Sequence, residues 1–171
     1  WNGTSWSNQL LHAGLGTVLA QRRPFDLEYE KNSDRAILTY AIQDTNGTVL
    51  PTPVYKVWDG ASWSIAPIPL PTPPTTGAPW WIELAQNPSP SSNELAMIMS
   101  SSTLQAYGMI WNGTSWSNMG ESSSWGTFPL TAGKVVDVTY EQSSKKAMFV
   151  WGGSSNSNLN YRIWDNTIPS L

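Results

Sequence analysis

Four carboxylates stand at matching places in two short segments. Asp26 and Glu28 lie in FDLEYE (25–30), and Asp137 and Glu141 lie in VDVTYE (136–141). Two carboxylates about 5–10 Å apart are the minimum equipment for glycoside hydrolysis. Here they alternate with Phe25, Leu27, Val136 and Val138, which is the pattern of an ordinary strand with one polar and one apolar face. The only histidine, His12, sits between Leu11 and Ala13 and has no second imidazole to share a metal with. There is no cysteine and no G-x-S-x-G, which removes cysteine-based zinc sites, disulfides and the nucleophile elbow. The sequence therefore argues against an enzyme and implies no cofactor and no metal. What remains is aromatic chemistry. Of the eleven tryptophans, Trp80, Trp81 and Trp125 stand outside the repeat pattern described below, and they are the candidate stacking residues for a glycan. The N-x-T sequons at Asn2, Asn46 and Asn112 are glycosylation candidates, although each is also an Asn-Gly turn.

Composition narrows the partners. Charged residues are 12% of the 171, about half the usual share. The net charge of −3 argues against nucleic acid, which needs clustered Lys and Arg. The basic doublets Arg22-Arg23 and Lys145-Lys146 read as solvated loop charges. No apolar run approaches 20 residues, so no membrane span is expected, and no signal-peptide pattern is present. A surface rich in Ser, Thr, Asn and Trp fits an extracellular or cell-surface protein.

The elements that must position these residues come from a repeat. WNGTSWSN occurs at 1–8 and again at 111–118, WDGASWS at 58–64 is a degenerate copy, and WDN begins at Trp164. Successive leading tryptophans are 57, 53 and 53 residues apart. A fixed period near 50 residues marks a repeat architecture. Within 79–118, the run Trp81–Ala85, the turn cluster NPSPSSN, the apolar run Leu95–Met99, the run Leu104–Trp111 and the segment after Asn112-Gly113 predict four antiparallel strands. FDLEYE matches VDVTYE, Ala36–Tyr40 matches Ala147–Trp151, and Tyr55–Trp58 matches Tyr161–Trp164. The expected chain is all-β, a single repeat domain over 1–171 with a closing strand at 1–10 and four-stranded blades at 24–64, 79–118 and 134–171. The six prolines of 65–79 predict a stiff, extended crossing between blades.

Asn-Gly as a two-residue type I′ turn predicts that Trp111 faces Thr114 and Met109 faces Trp116, which makes Trp111 and Trp116 diagonal neighbours. The same register is expected for Trp58/Trp63 and Trp1/Trp6. Positive φ is expected at Gly3, Gly47 and Gly113.

Four-stranded units of this length, ending in W-[ND]-G and a second Trp, resemble β-propeller blades. They are similar to the tryptophan-rich repeats of large prokaryotic secreted and cell-surface proteins. The turn WDGASW at 58–63 resembles the WDGxGW turn of fucose-binding lectins, and Asp59 resembles the aspartate of the sialidase Asp-box. The resemblance implies a propeller-like fold and, for the lectins, an arginine on the second strand that bonds the sugar. The second strands here read AILTY, LAMIM and AMFVW and carry no arginine. The first functional expectation is a structural or adhesive surface repeat that assembles by strand pairing with copies of itself or with adjacent repeats of a longer chain. A glycan-binding module is the alternative, and a non-catalytic fragment of a glycoside-hydrolase-like propeller a second one.

Assembly is expected at the ends. Thr4 and Trp6 belong to a half-motif, and the tail after Trp164 lacks a strand. Thr4–Asn8 is therefore expected to pair beside Tyr161–Trp164 of the same chain or of a neighbour. The open faces of the first and last units are expected to carry Ile37, Val57, Met148 and Phe149.

Overall fold

The computed structural model describes residues 11, 22–73, 77–119, 125–127, 134–153 and 158–165. Among them there is no helix, and the strands form three antiparallel sheets. The first contains β1 (Phe25–Tyr29), β2 (Ala36–Tyr40), β3 (Val54–Trp58) and β4 (Ile68–Pro69), in that order. The second runs β5 (Pro79–Gln86), β6 (Leu95–Ser101), β7 (Gln105–Trp111) and β8 (Trp116–Asn118), with β9 (Gly126–Thr127) also on β7. The third is β10 (Val136–Tyr140), β11 (Ala147–Gly152) and β12 (Leu159–Trp164).

The second sheet is the core, because both of its faces are covered. Ile82, Leu84, Met97, Met99 and Met109 pack with Ile37 and Tyr55 of the first sheet. Ala96, Ile98 and Ile110 pack with Val136, Val138 and Phe149 of the third. Every residue of β6 is buried. That explains why Leu95–Met99 is a continuous apolar run, since a strand with two covered faces has no polar side to alternate with. The third sheet keeps one face open and alternates accordingly, as in β10, whereas β2 of the first sheet is buried on both faces.

One backbone bond fixes the equivalence of the sheets. At the turn between first and second strands, the N–H of Glu30 donates to Arg35 O at 2.9 Å, that of Asn87 to Glu94 O at 3.1 Å, and that of Glu141 to Lys146 O at 2.9 Å. Tyr29, Gln86 and Tyr140 then face Ala36, Leu95 and Ala147 across each first hairpin.

Several expectations change. Among the described residues the three sheets hold four, five and three strands, and those strands form no closed ring. In the first sheet the fourth strand comes from the proline-rich crossing: Ile68 and Pro69 pair with Tyr55 and Val54, while Trp63 makes only an isolated bridge to Trp58. Proline is tolerated on that edge, where no further strand needs its missing N–H.

The tryptophan hairpin is also longer than a two-residue turn. Trp111 lies opposite Trp116, and Met109 opposite Asn118. The Asn112 side-chain oxygen accepts the N–H groups of Thr114 and Ser115, both at 2.9 Å, and so holds a four-residue loop. Gly113 and Gly47 have positive φ, 95° and 80°, as expected; Gly3 lies outside the described residues.

The open faces differ too. Ile37 and Phe149 are fully buried between sheets and Val57 is half-buried, whereas Met148 is exposed. On β1 the exposed apolar residues are Phe25, Leu27 and Tyr29, on the face opposite Ile37, and on β4 Ile68 is exposed as well. Thr4, Trp6 and the pairing expected of Thr4–Asn8 lie outside the described residues.

Candidate functional site

The first strands of the three sheets lie side by side, with β5 between β1 and β10. The segment before β1 joins the first sheet to β5: the N–H of Arg23 donates to Trp80 O at 3.1 Å, and that of Ile82 to Arg23 O at 3.0 Å. Asp26, Glu83 and Asp137 occupy equivalent positions on these strands, four residues before Glu30, Asn87 and Glu141 respectively. Two cations thread them into a ladder. Arg23 contacts Glu83 at 2.6 Å and Asp26 at 3.5 Å. Lys134 contacts Glu83 at 2.8 Å and Asp137 at 3.1 Å. Glu83 also accepts the indole N–H of Trp81 at 2.8 Å.

The ladder is internally matched. Asp26 accepts the N–H of Leu84 at 2.8 Å. Burial raises its pKa above the ordinary aspartate value, and the Leu84 N–H and the Arg23 charge offset only part of that. Burial likewise raises Glu28. For Lys134 burial acts downward, but its hydrogen bonds to Glu83 and Asp137 prevail and its pKa is raised. Carboxylates held in this way act as cross-links between strands.

The ladder gathers Asp26, Asp137, Trp80 and Trp81 into one region. Both tryptophans are half-buried with a guanidinium over the ring: Arg22 at 4.2 Å from Trp80 and Arg23 at 5.5 Å from Trp81. The reading of Arg22-Arg23 as solvated charges is thereby corrected. Trp125 lies elsewhere, against the third sheet. It meets Phe149 edge-on at 5.1 Å and Trp151 at 5.3 Å, with Arg162 at 5.1 Å. A Cβ at Gly108 would come within 2.2 Å of its ring, so the residue type at 108 makes room for it.

The tryptophan hairpins supply the second set of inter-sheet contacts. The Trp111 indole N–H donates to Glu30 of the first sheet at 2.6 Å. Glu30 is fully buried and bonds Arg35 through both oxygens, at 2.7 Å each, and it also accepts the Ser33 hydroxyl. Arg35 then donates to Gly113 O at 2.6 Å. One step along, the Trp164 indole donates to Glu94 of the second sheet at 3.3 Å, and Tyr140 donates to the same carboxylate at 2.8 Å.

No known protein-family model matches the chain, and no curated protein is significantly similar to it.

The remaining expected residues fall as follows. Asn46 and Asn112 are exposed turn residues, and the Asn112 oxygen is committed to its own loop. Tyr161 is exposed on β12, whereas Trp164 is half-buried on Glu94. Glu141 is exposed and bonds its own turn at Ser144. Asn2 and His12 lie outside the described residues. Among the described residues no group of three His, Cys, Asp or Glu is placed to hold a metal. Sequence reasoning missed Glu30, Arg35, Glu83, Glu94 and Lys134. A signal was present, since Arg23/Asp26 and Lys134/Asp137 repeat a base three residues before an acid.

Proposed function

We propose that the chain is a structural or adhesive module of an extracellular surface protein, a propeller-like arc whose sheets stack on one another and on further copies. The observation that supports this most directly is where the polar and aromatic groups are committed. Glu83 joins three sheets through Arg23 and Lys134, and Trp111 and Trp164 donate to carboxylates of the preceding sheet. The unusual residues of this chain thus hold sheets together. The test is sedimentation of the full chain over a wide concentration range beside a glycan array. Mass that rises with concentration, with no glycan retained, is expected. A monomer at all concentrations that binds a defined glycan would replace this reading.

One observation favours a second reading. Around Trp58 and Trp63 there is an open depression of about 410 Å³ that is also lined by Lys56, Ser62 and Ser64. A tilted tryptophan pair beside a cation and hydroxyls is suited to stack and hydrogen-bond a sugar. Glycan-array signal lost on Trp63→Ala would support it.

A further inference from the structure

We infer that the depression around Trp58 and Trp63 takes an acidic sugar, whose carboxylate or sulfate is bound by Lys56. This rests on the second reading above and names its ligand.

Among the described residues two charged side chains are buried, Glu30 and Lys56, at 2% and 7% exposure. Glu30 has its counter-ion, since Arg35 donates to both of its oxygens at 2.7 Å. Lys56 is different. Its ammonium donates to Ile65 O at 3.2 Å, and among the described residues it has no carboxylate partner. An ammonium carries three donors. A charge withdrawn from water without a counter-ion is strongly destabilising, so this one marks a place where an anion is held. Ile65 lines the same depression, so the bond to its carbonyl keeps the ammonium at the wall of that space.

The hairpin itself does not call for the charge. Lys56 stands two residues before Trp58, and Met109 stands two residues before Trp111. Met109 is fully buried, and both tryptophan pairs have ring centroids 5.7 Å apart. A thioether at this position therefore builds the same hairpin.

The other groups of the depression complete the match. Its volume of about 410 Å³ is that of a small-ligand pocket. The rings of Trp58 and Trp63, tilted by 54°, offer apolar surface to the C–H groups of a sugar ring. Ser62 and Ser64 bring hydroxyls to meet its own. The indole N–H groups of Trp111 and Trp164 donate to carboxylates, Glu30 and Glu94, whereas that of Trp58 has no acceptor among the described residues. A neutral sugar would leave the ammonium as it stands. A carboxylate or a sulfate supplies the missing counter-charge, and the test separates the two.

A sugar-sized ligand in an open site binds with a Kd of about 1 mM, so the full chain is titrated in solution and followed by NMR at its indole N–H groups. The probes are glucuronate, glucose 6-sulfate, glucose and acetate. Glucuronate or the sulfate is expected to shift the Trp58 and Trp63 signals saturably, the tighter of the two naming the acidic group. Glucose and acetate are each expected to bind about tenfold more weakly. Lys56→Met, which copies Met109, is expected to melt no lower than the wild type and to bind glucuronate only as weakly as glucose. Trp63→Ala is expected to weaken glucuronate and glucose alike. If all three sugars bind equally and Lys56→Met changes none of them, the inference fails while the sugar reading stands. If Lys56→Met melts well below the wild type and still binds glucuronate, Lys56 is structural and the inference fails. If acetate binds as tightly as glucuronate and is indifferent to Trp63→Ala, the site holds a bare anion and both fail. If no probe binds, both fail and the assembly reading is untouched.

Discussion

Among the described residues the same hairpin occurs in two settings. In WDGASW (58–63) and WNGTSW (111–116) the tryptophan rings are 5.7 Å apart, tilted by 54° and 50°. In each, an Asx oxygen accepts two backbone N–H groups of the loop, Asp59 from Ala61 and Ser62 and Asn112 from Thr114 and Ser115. Each has glycine at φ near 95°, Gly60 at 98° and Gly113 at 95°. Yet Trp111 and Trp116 are 2% and 5% exposed, with Trp111 edge-on to Tyr55 at 5.5 Å, while Trp58 and Trp63 are only half-buried. The hairpin is thus built by its own six residues, and its burial is decided by what packs on it, the first sheet in the case of Trp111. A motif of this kind works as a prefabricated surface waiting for a neighbour.

The largest way to break the comparison is at the carboxylate that receives the buried hairpin. Glu30→Ala leaves the Trp111 N–H without its acceptor and Arg35 without its ion pair. The expected cost is about 3 kcal/mol, the lower end for opening a buried pair because Arg35 is one-third exposed. Urea unfolding checks it. Its counterpart Glu141→Ala is expected to shift the unfolding midpoint of dilute protein far less, because among the described residues Glu141 accepts only from its own turn at Ser144. Equal losses from the two would mean that the carboxylates serve their own turns and not the next sheet.

Gly108→Ala probes the other face of the second sheet. The added methyl would lie 2.2 Å from the Trp125 ring and 3.1 Å from Phe149, so a loss of about 2 kcal/mol is expected from overpacking. Relief of that loss in a Trp125→Leu background would identify the indole as the obstacle.

How far these positions could be read beforehand depends on the reach of the interactions. Strands such as Leu95–Ser101 and Val136–Tyr140 follow from local apolar pattern and from the repeat, and the sequence marks them well. The loop register was missed because Asn-Gly has two solutions, a two-residue turn or a longer loop held by the Asn side chain. Only the hydrogen bonds to Thr114 and Ser115 decide between them. The ion ladder was half visible: Arg23 and Lys134 each precede an acid by three residues, but their shared partner Glu83 is contributed by a different sheet. Trp125 stood outside the repeat and looked like a free stacking residue. Its packing depends on Gly108 and Phe149, distant in the chain.

A smaller effect separates the two loops. Gly113→Ala and Gly60→Ala both force an L-residue into positive φ, at about 1–2 kcal/mol. Gly113 carries an additional penalty because its Cβ would meet Asn93 at 3.0 Å, whereas at Gly60 the nearest atom is 3.7 Å away. Thermal melts are expected to rank Gly113→Ala below Gly60→Ala.

The smallest effect is electrostatic. Bonds from the Ser62 and Ala61 N–H groups hold Asp59 below the ordinary aspartate value of 3.8. A depressed folded-state pKa adds stability that is present above 3.8 and lost as pH falls through the lower value. Asp59→Asn, which copies the other hairpin, is expected to remove that acid-side loss and leave melting at pH 7 nearly unchanged. Melts of both proteins at pH 3 and pH 5 measure it.

The most direct test of hairpins built locally but buried by a neighbour is hydroxyl-radical footprinting of the wild-type chain, read residue by residue by mass spectrometry. In dilute protein Trp58 and Trp63 are expected to oxidise several-fold faster than Trp111 and Trp116. Equal oxidation of the two pairs in dilute protein would contradict it.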